Sequence, residues 1–167
     1  IATQRAGLAL VSGDLSGTIS EAERAVALAG ADDLLTLAAA RALNGLASWG
    51  SGDLQSAYEA YLAAAHDLEA AGHVADVLGC TVTLVDLALT LGRVGDAGRL
   101  ATQALDLAQS ATTGDVVRGT ADMWVALGRV AWQHGDAATS ARHLDRAADL
   151  GERAGLPQQP YRWRVAM

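Results

Sequence analysis

The stretch Trp124-Val125-Ala126-Leu127-Gly128-Arg129-Val130-Ala131-Trp132-Gln133-His134-Gly135-Asp136 decides the fold. Trp124, Leu127 and Ala131 recur at intervals of three and four, which puts them on one face of a helix. Gly135 can take the left-handed conformation that ends such a helix, and Asp136 can accept from the free N–H groups that open the next one. Ser140, Leu144 and Ala147 then continue at helical spacing, so the local unit is a helix hairpin.

Working outward, the Gly-Asp pair recurs at Gly13-Asp14, Gly52-Asp53 and Gly95-Asp96, giving spacings of 39, 43 and 40 residues along the four pairs. A period near 40 with apolar helical stripes on both sides of each pair is the signature of a repeat array. Further turns are expected at Ala29-Gly30-Ala31-Asp32, Ala71-Gly72-His73, Thr112-Thr113-Gly114-Asp115 and Ala154-Gly155-Leu156-Pro157, where glycine again follows an apolar stripe. The predicted helices are 2–12, 16–29, 33–50, 54–71, 75–92, 96–111, 116–134, 137–154 and 159–167. They pair as hairpins at about 2–30, 32–72, 74–113 and 115–155, with a fifth starting at 158–167, in one domain over 1–167. No hairpin buries its apolar faces alone, so neighbours are expected to stack into a right-handed superhelical solenoid with one concave surface. The fold class is all-α.

The fourth unit resembles the tetratricopeptide repeat, with Trp124, Leu127, Gly128, Ala131 and Gly135-Asp136 at the motif positions and Ser140, Leu144 and Ala147 at the packing positions of the second helix. Unit two carries Arg41, Asn44 and Gly45 at the first three places, and unit three Leu84, Leu87 and Ala88. In unit three, Leu100, Ala104 and Leu107 invert the usual small-large-small order. The long period, the Ala/Leu/Arg-rich style and the segment from Gly155 through Tyr161 and Trp163 to Met167 look like the helical-repeat region of large LuxR-family regulators of the MalT-like type. That resemblance implies a multidomain bacterial parent: a nucleotide-binding switch upstream, this array as sensing or coupling arm, and a helix-turn-helix domain downstream. The alternative is a stand-alone scaffold that mediates protein–protein interaction.

Twelve arginines, no lysine and nineteen acids give a net charge of -7 and a pI near 4.9, which argues against this segment gripping a phosphate backbone. The lone Cys80 has no internal disulfide partner, and no apolar run of about 18 residues is present, so a cytoplasmic, membrane-free protein is expected. Cys80 reads as a small core residue. His66 and Glu69 share a helix face, but His73 lies beyond a turn, and His134 and His143 have no partner at a ligand spacing, so no metal or cofactor is expected. Gly50-Ser51-Gly52 lacks both the lysine of a phosphate loop and the strand before it. No pair of carboxylates and no nucleophile–base set stands out, and the chain is read as a binding module without catalysis.

Carried over from the repeat pattern, the groove-facing positions are Ala42, Leu46 and Trp49 in unit two and Val82, Val85, Leu89 and Arg93 in unit three. Unit four supplies Asp122, Val125, Arg129, Trp132 and Gln133. Trp49 and Trp132 stand three residues before their Gly-Asp pairs, where unit three has Gly92. Two indoles around a gap either wall a site for a sugar-like or aromatic effector, with the polar groups giving direction, or pack as ordinary core. The same groove could take a peptide or helix from another domain or protein. The array opens and closes inside apolar patterns, so uncapped ends and homo-oligomers through them are a further expectation.

Overall fold

A computed structural model describes residues 1–111 and 116–167. The expected turn at Thr112–Asp115 lies outside the described residues. All regular structure among those described is helical: α1 (Ala2–Val11), α2 (Leu15–Leu28), α3 (Leu34–Gly50), α4 (Leu54–Ala70), α5 (Val74–Thr90), α6 (Val94–Ser110), α7 (Thr120–Gln133), α8 (Ala137–Leu150) and α9 (Gln159–Ala166), with a 3₁₀ turn at Gly151–Arg153. The chain divides into two compact units, Ile1–His73 and Val74–Met167.

In the first unit each helix packs on the next, and α1 also lies against α3. Gly13 and Gly52 hold φ values of +80° and +88°, and Asp14 and Asp53 cap the following helices by accepting from the Gly17 and Ser56 amides. Asp33 rather than Asp32 caps α3, accepting from Thr36. Small residues bring α3 and α4 together: a Cβ on Gly45 would sit 2.7 Å from the Tyr61 ring, itself buried. Arg41 on α3 pairs with the buried Asp67 on α4 and supplies the charge that makes its burial tolerable.

In the second unit α5 packs on α6, α6 on α7 and α7 on α8, while α5, α7 and α9, the first helices of successive hairpins, lie side by side. Its core includes Leu78, Leu84, Leu87 and Met123, all fully buried. Here the expected turn at Gly95-Asp96 is displaced by three residues. Gly92 holds the left-handed conformation at φ +73°, and its amide donates to Leu89 while that of Arg93 donates to Ala88, the same pair of bonds that closes the turns at Gly52 and Gly135. Gly95 and Asp96 lie inside α6, where Asp96 pairs with Arg99. The turn glycines therefore run 13, 52, 92 and 135. The motif places in unit three are consequently Thr81, Leu84 and Val85 rather than Leu84, Leu87 and Ala88.

Two helix ends also differ from expectation. The α7 helix begins at Thr120 and not near 116, because Gly119 takes φ +101° and packs on Leu78, where a Cβ would lie 2.8 Å away. The α8 helix stops at Leu150 and not near 154, where Gly151 turns to φ +55°. The released chain comes back against α7, and the Ala154 carbonyl accepts from both Gly119 and Ala121.

Candidate functional site

The second unit carries a cleft of about 450 Å³ between α5, α7 and α9. Asp86 comes from α5, Arg129, Trp132 and Gln133 from α7, and Tyr161, Arg162, Val165 and Ala166 from α9. Arg129, Trp132 and Gln133 stand at i, i+3 and i+4, so the helical period alone puts them on one face. Trp132 is 65% exposed and Tyr161 68%, which leaves two large aromatic surfaces in contact with water beside the cleft.

Charge in the cleft is balanced. Arg129 pairs with Asp86, and Arg162 pairs with Asp122 at 2.8 Å. Asp122 is fully enclosed, its second carboxylate oxygen accepting from the Leu156 amide at 2.7 Å. Burial pushes this carboxyl up from the usual carboxylate range, and the bonds from Leu156 and Arg162 pull the other way without cancelling that push. Next to the cleft, Val125, Leu144 and Ala147 form a core patch that Trp124, Trp163 and Ala166 cover, and the Trp163 indole N–H donates to the Leu144 carbonyl at 3.0 Å.

The twelve residues singled out from sequence divide clearly. Arg129, Trp132 and Gln133 meet in the cleft. Val82, Val85 and Val125 are core, and Leu89 and Arg93 are half-buried on α5 and at the start of α6. Asp122 faces inward onto the segment before and within α9. Leu46 and Trp49 belong to the first unit, 42% and 38% exposed on α3, with Ala42 half-buried one turn before Leu46. Because the third turn is at Gly92, the residue three places before the turn in that unit is Leu89, so Gly92 is not the repeat equivalent of Trp49 and Trp132.

Asp86, Tyr161, Arg162, Val165 and Ala166 escaped the sequence reading. The turn register would have found Asp86, since counting back from Gly92 rather than Gly95 places it opposite Arg129. The α9 residues follow from no repeat position; they enter through the return of the chain after Gly151.

Elsewhere, His143 stacks on Trp124 with ring centroids 5.3 Å apart, and burial followed by nearby Arg142 lowers its pKa. Burial, with Asp76 adding to it, pushes the Cys80 thiol up to about 11. Among the described residues no group of three or more His, Cys, Asp or Glu could hold a metal, and no helix is long and apolar enough to cross a membrane.

The sequence model of the MalT-like TPR region matches residues 1–167. The chain belongs to that family. Among solved structures, the MalT-like TPR region is similar to BtubC (BKLC) from P. vanneervenii at 18% identity and a TM-score of 0.74, covering 89% of this chain and 61% of that one. It thus spans about three-fifths of that protein's length. It is also similar to a Podosopora anserina putative kinesin light chain with nearly identical TPR-like repeats, in one crystal structure at 14% identity and TM-score 0.69, covering 99% of this chain and 82% of that one. A second crystal structure of those repeats aligns at 13% identity and TM-score 0.66, over 99% and 83%. These likenesses establish the fold: a TPR-like helical array. No curated protein matches the chain.

Proposed function

We propose that this MalT-like TPR region is the sensing or coupling arm of a multidomain transcriptional regulator, and that its ligand sits in the α5/α7/α9 cleft. The observation that carries this reading is the cleft itself: two exposed aromatic rings, Trp132 and Tyr161, beside the balanced Asp86–Arg129 pair and the Gln133 amide. Exposed rings offer flat apolar faces, and an amide with a paired guanidinium offers directional hydrogen bonds without net charge. Such a surface suits an uncharged ligand with both flat and hydroxylic faces, a sugar-like effector. At about 450 Å³ the cavity has the size of a small-molecule site.

An effector that touches both α7 and α9 favours one packing of these helices, and stacked repeats pass such a bias to their neighbours. The test is a reporter assay on the intact reading frame. Trp132→Ala and Tyr161→Ala are expected to abolish or blunt the transcriptional response, while Leu62→Ala, at an exposed position on α4 in the first unit, leaves it intact. A normal response in both cleft variants rejects the reading.

A protein segment is the second reading, favoured by one observation: Val165, 89% exposed, extends the aromatic surface into an apolar strip along α9. An amphipathic helix from another domain or protein would cover it. On that reading the array acts as a scaffold, and Val165→Asp would release the partner.

A further inference from the structure

We propose that Asp122 is the positioning residue of the cleft: it fixes α9 as a wall, so that ligand occupancy and the docking of α9 reinforce each other. The first half stands on contacts alone; the second rests on the reading of the cleft as a binding site.

The α9 helix has eight residues, too short to persist without tertiary contacts. It nevertheless supplies Tyr161, Arg162, Val165 and Ala166 to the cleft. Its position is set by few bonds. The Leu156 amide donates to one Asp122 oxygen and the Arg162 guanidinium to the other, so one carboxylate fixes both the approach to α9 and its first turn. Farther along, Trp163 donates to Leu144 and covers the Val125–Leu144–Ala147 patch. Asp122 itself sits on α7, between two and three turns before Trp132 on the same helix. One helix thus carries both the exposed face of the site and the anchor for its opposite wall.

A buried carboxylate with its two oxygens bonded to separate points of a neighbouring segment is a costly arrangement unless both partners stay in place. Burial outweighs the bonds in setting the Asp122 pKa, as expected for an acid held away from water. Linkage is reciprocal: whatever contacts α7 and α9 together must bind more weakly when α9 is loose.

The experiment uses the full chain labelled with 5-fluorotryptophan, with no ligand present, so its outcome is independent of whether the cleft binds anything. Trp163 reports on α9, Trp132 on the cleft, and Trp49, in the first compact unit, serves as control. In Asp122→Ala, both the Trp163 and Trp132 fluorine resonances are expected to shift, and the Trp163 indole N–H to exchange about tenfold or more faster. The exchange is the readout of undocking, since that N–H bonds to Leu144 and not to Asp122, and unchanged exchange would overturn the proposal. The Trp49 resonance stays in place. Should Asp122→Ala fail to fold, Arg162→Gln, at a partly exposed position, is expected to give the same two shifts in smaller measure. Trp163 and Trp132 resonances unchanged in whichever variant folds would overturn the proposal. A second step with neutral maltodextrins as the probe separates the two halves: shifts at Trp163 and Trp132 with no binding by the wild type defeat the cleft reading and leave the anchor standing.

Discussion

Asp86 on α5 and Arg129 on α7 occupy the same place in successive repeats, six residues before the turn glycines Gly92 and Gly135, and they pair with each other in the cleft. Repeat equivalence here produces charge complementarity, since adjacent first helices set corresponding positions side by side. Both side chains are about one-third exposed, so water screens the pair and its loss costs well under about 1 kcal/mol of stability. The consequence lies in selectivity. Asp86→Asn releases the Arg129 charge, and the cleft is expected to shift its preference from an uncharged oligosaccharide to the sulfated form of the same sugar. Calorimetric titration of both forms checks this, and an unchanged preference would show that Arg129 does not face the ligand.

That pair also shows where sequence reading reached its limit. The sequences Gly92-Arg93 and Gly95-Asp96 both offer a turn, and spacings of 39, 40 and 43 are as even as 39, 43 and 40. Asp is the better cap by local preference, but Arg93 begins α6 without any side-chain capping bond. The packing of α5 on α6, with Leu84 and Leu87 inward, overrides that preference. A three-residue slip nearly preserves a helix's face, so Val82 and Leu89 fall on α5 in either register, while Asp86 is found in only one. The hairpins themselves were legible because Ala, Leu and capping Asp all point the same way. The return of the chain onto Asp122 was not, because it depends on a long-range contact that no local pattern encodes.

Gly45 and Gly79 are expected to respond oppositely to alanine. Gly45 faces the buried Tyr61 ring at a distance a methyl group cannot share, so Gly45→Ala forces α3 and α4 apart and costs about 1–3 kcal/mol. Gly79 lies within α5 with open space at its Cβ, and Gly79→Ala stabilises by about 0.5–1 kcal/mol through helix propensity. Urea denaturation of the two variants gives midpoints on either side of the wild type; two shifts of the same sign would contradict the packing described.

Acid sensitivity follows from the caps. The Thr139 hydroxyl and amide hold the Asp136 carboxyl below the usual range, and the Ser56 amide and hydroxyl do the same for Asp53. A depressed folded pKa means stability that is present above the ordinary aspartate value of about 3.9 and lost as pH falls through the folded value. Asp136→Ala is therefore expected to melt below the wild type at neutral pH, and the difference should close at the acid end. A gap that widens on acidification would reverse the sign and exclude the capping account.

The thiol of Cys80, pushed up to about 11, carries little thiolate at neutral pH. Its alkylation by iodoacetamide in the folded chain is expected to run at least about tenfold slower than that of the urea-unfolded chain, allowing for the greater nucleophilicity of a more basic thiolate. Equal rates would place Cys80 outside the apolar face of α5.

The most direct test of the cleft as the binding site is a titration of the intact chain with neutral maltodextrins, followed by intrinsic tryptophan fluorescence, for the wild type, Trp132→Ala, Tyr161→Ala and Leu62→Ala. The account predicts saturable binding that weakens about tenfold or more in each cleft variant and is unchanged in Leu62→Ala. Saturable binding of equal strength in all four proteins would contradict it.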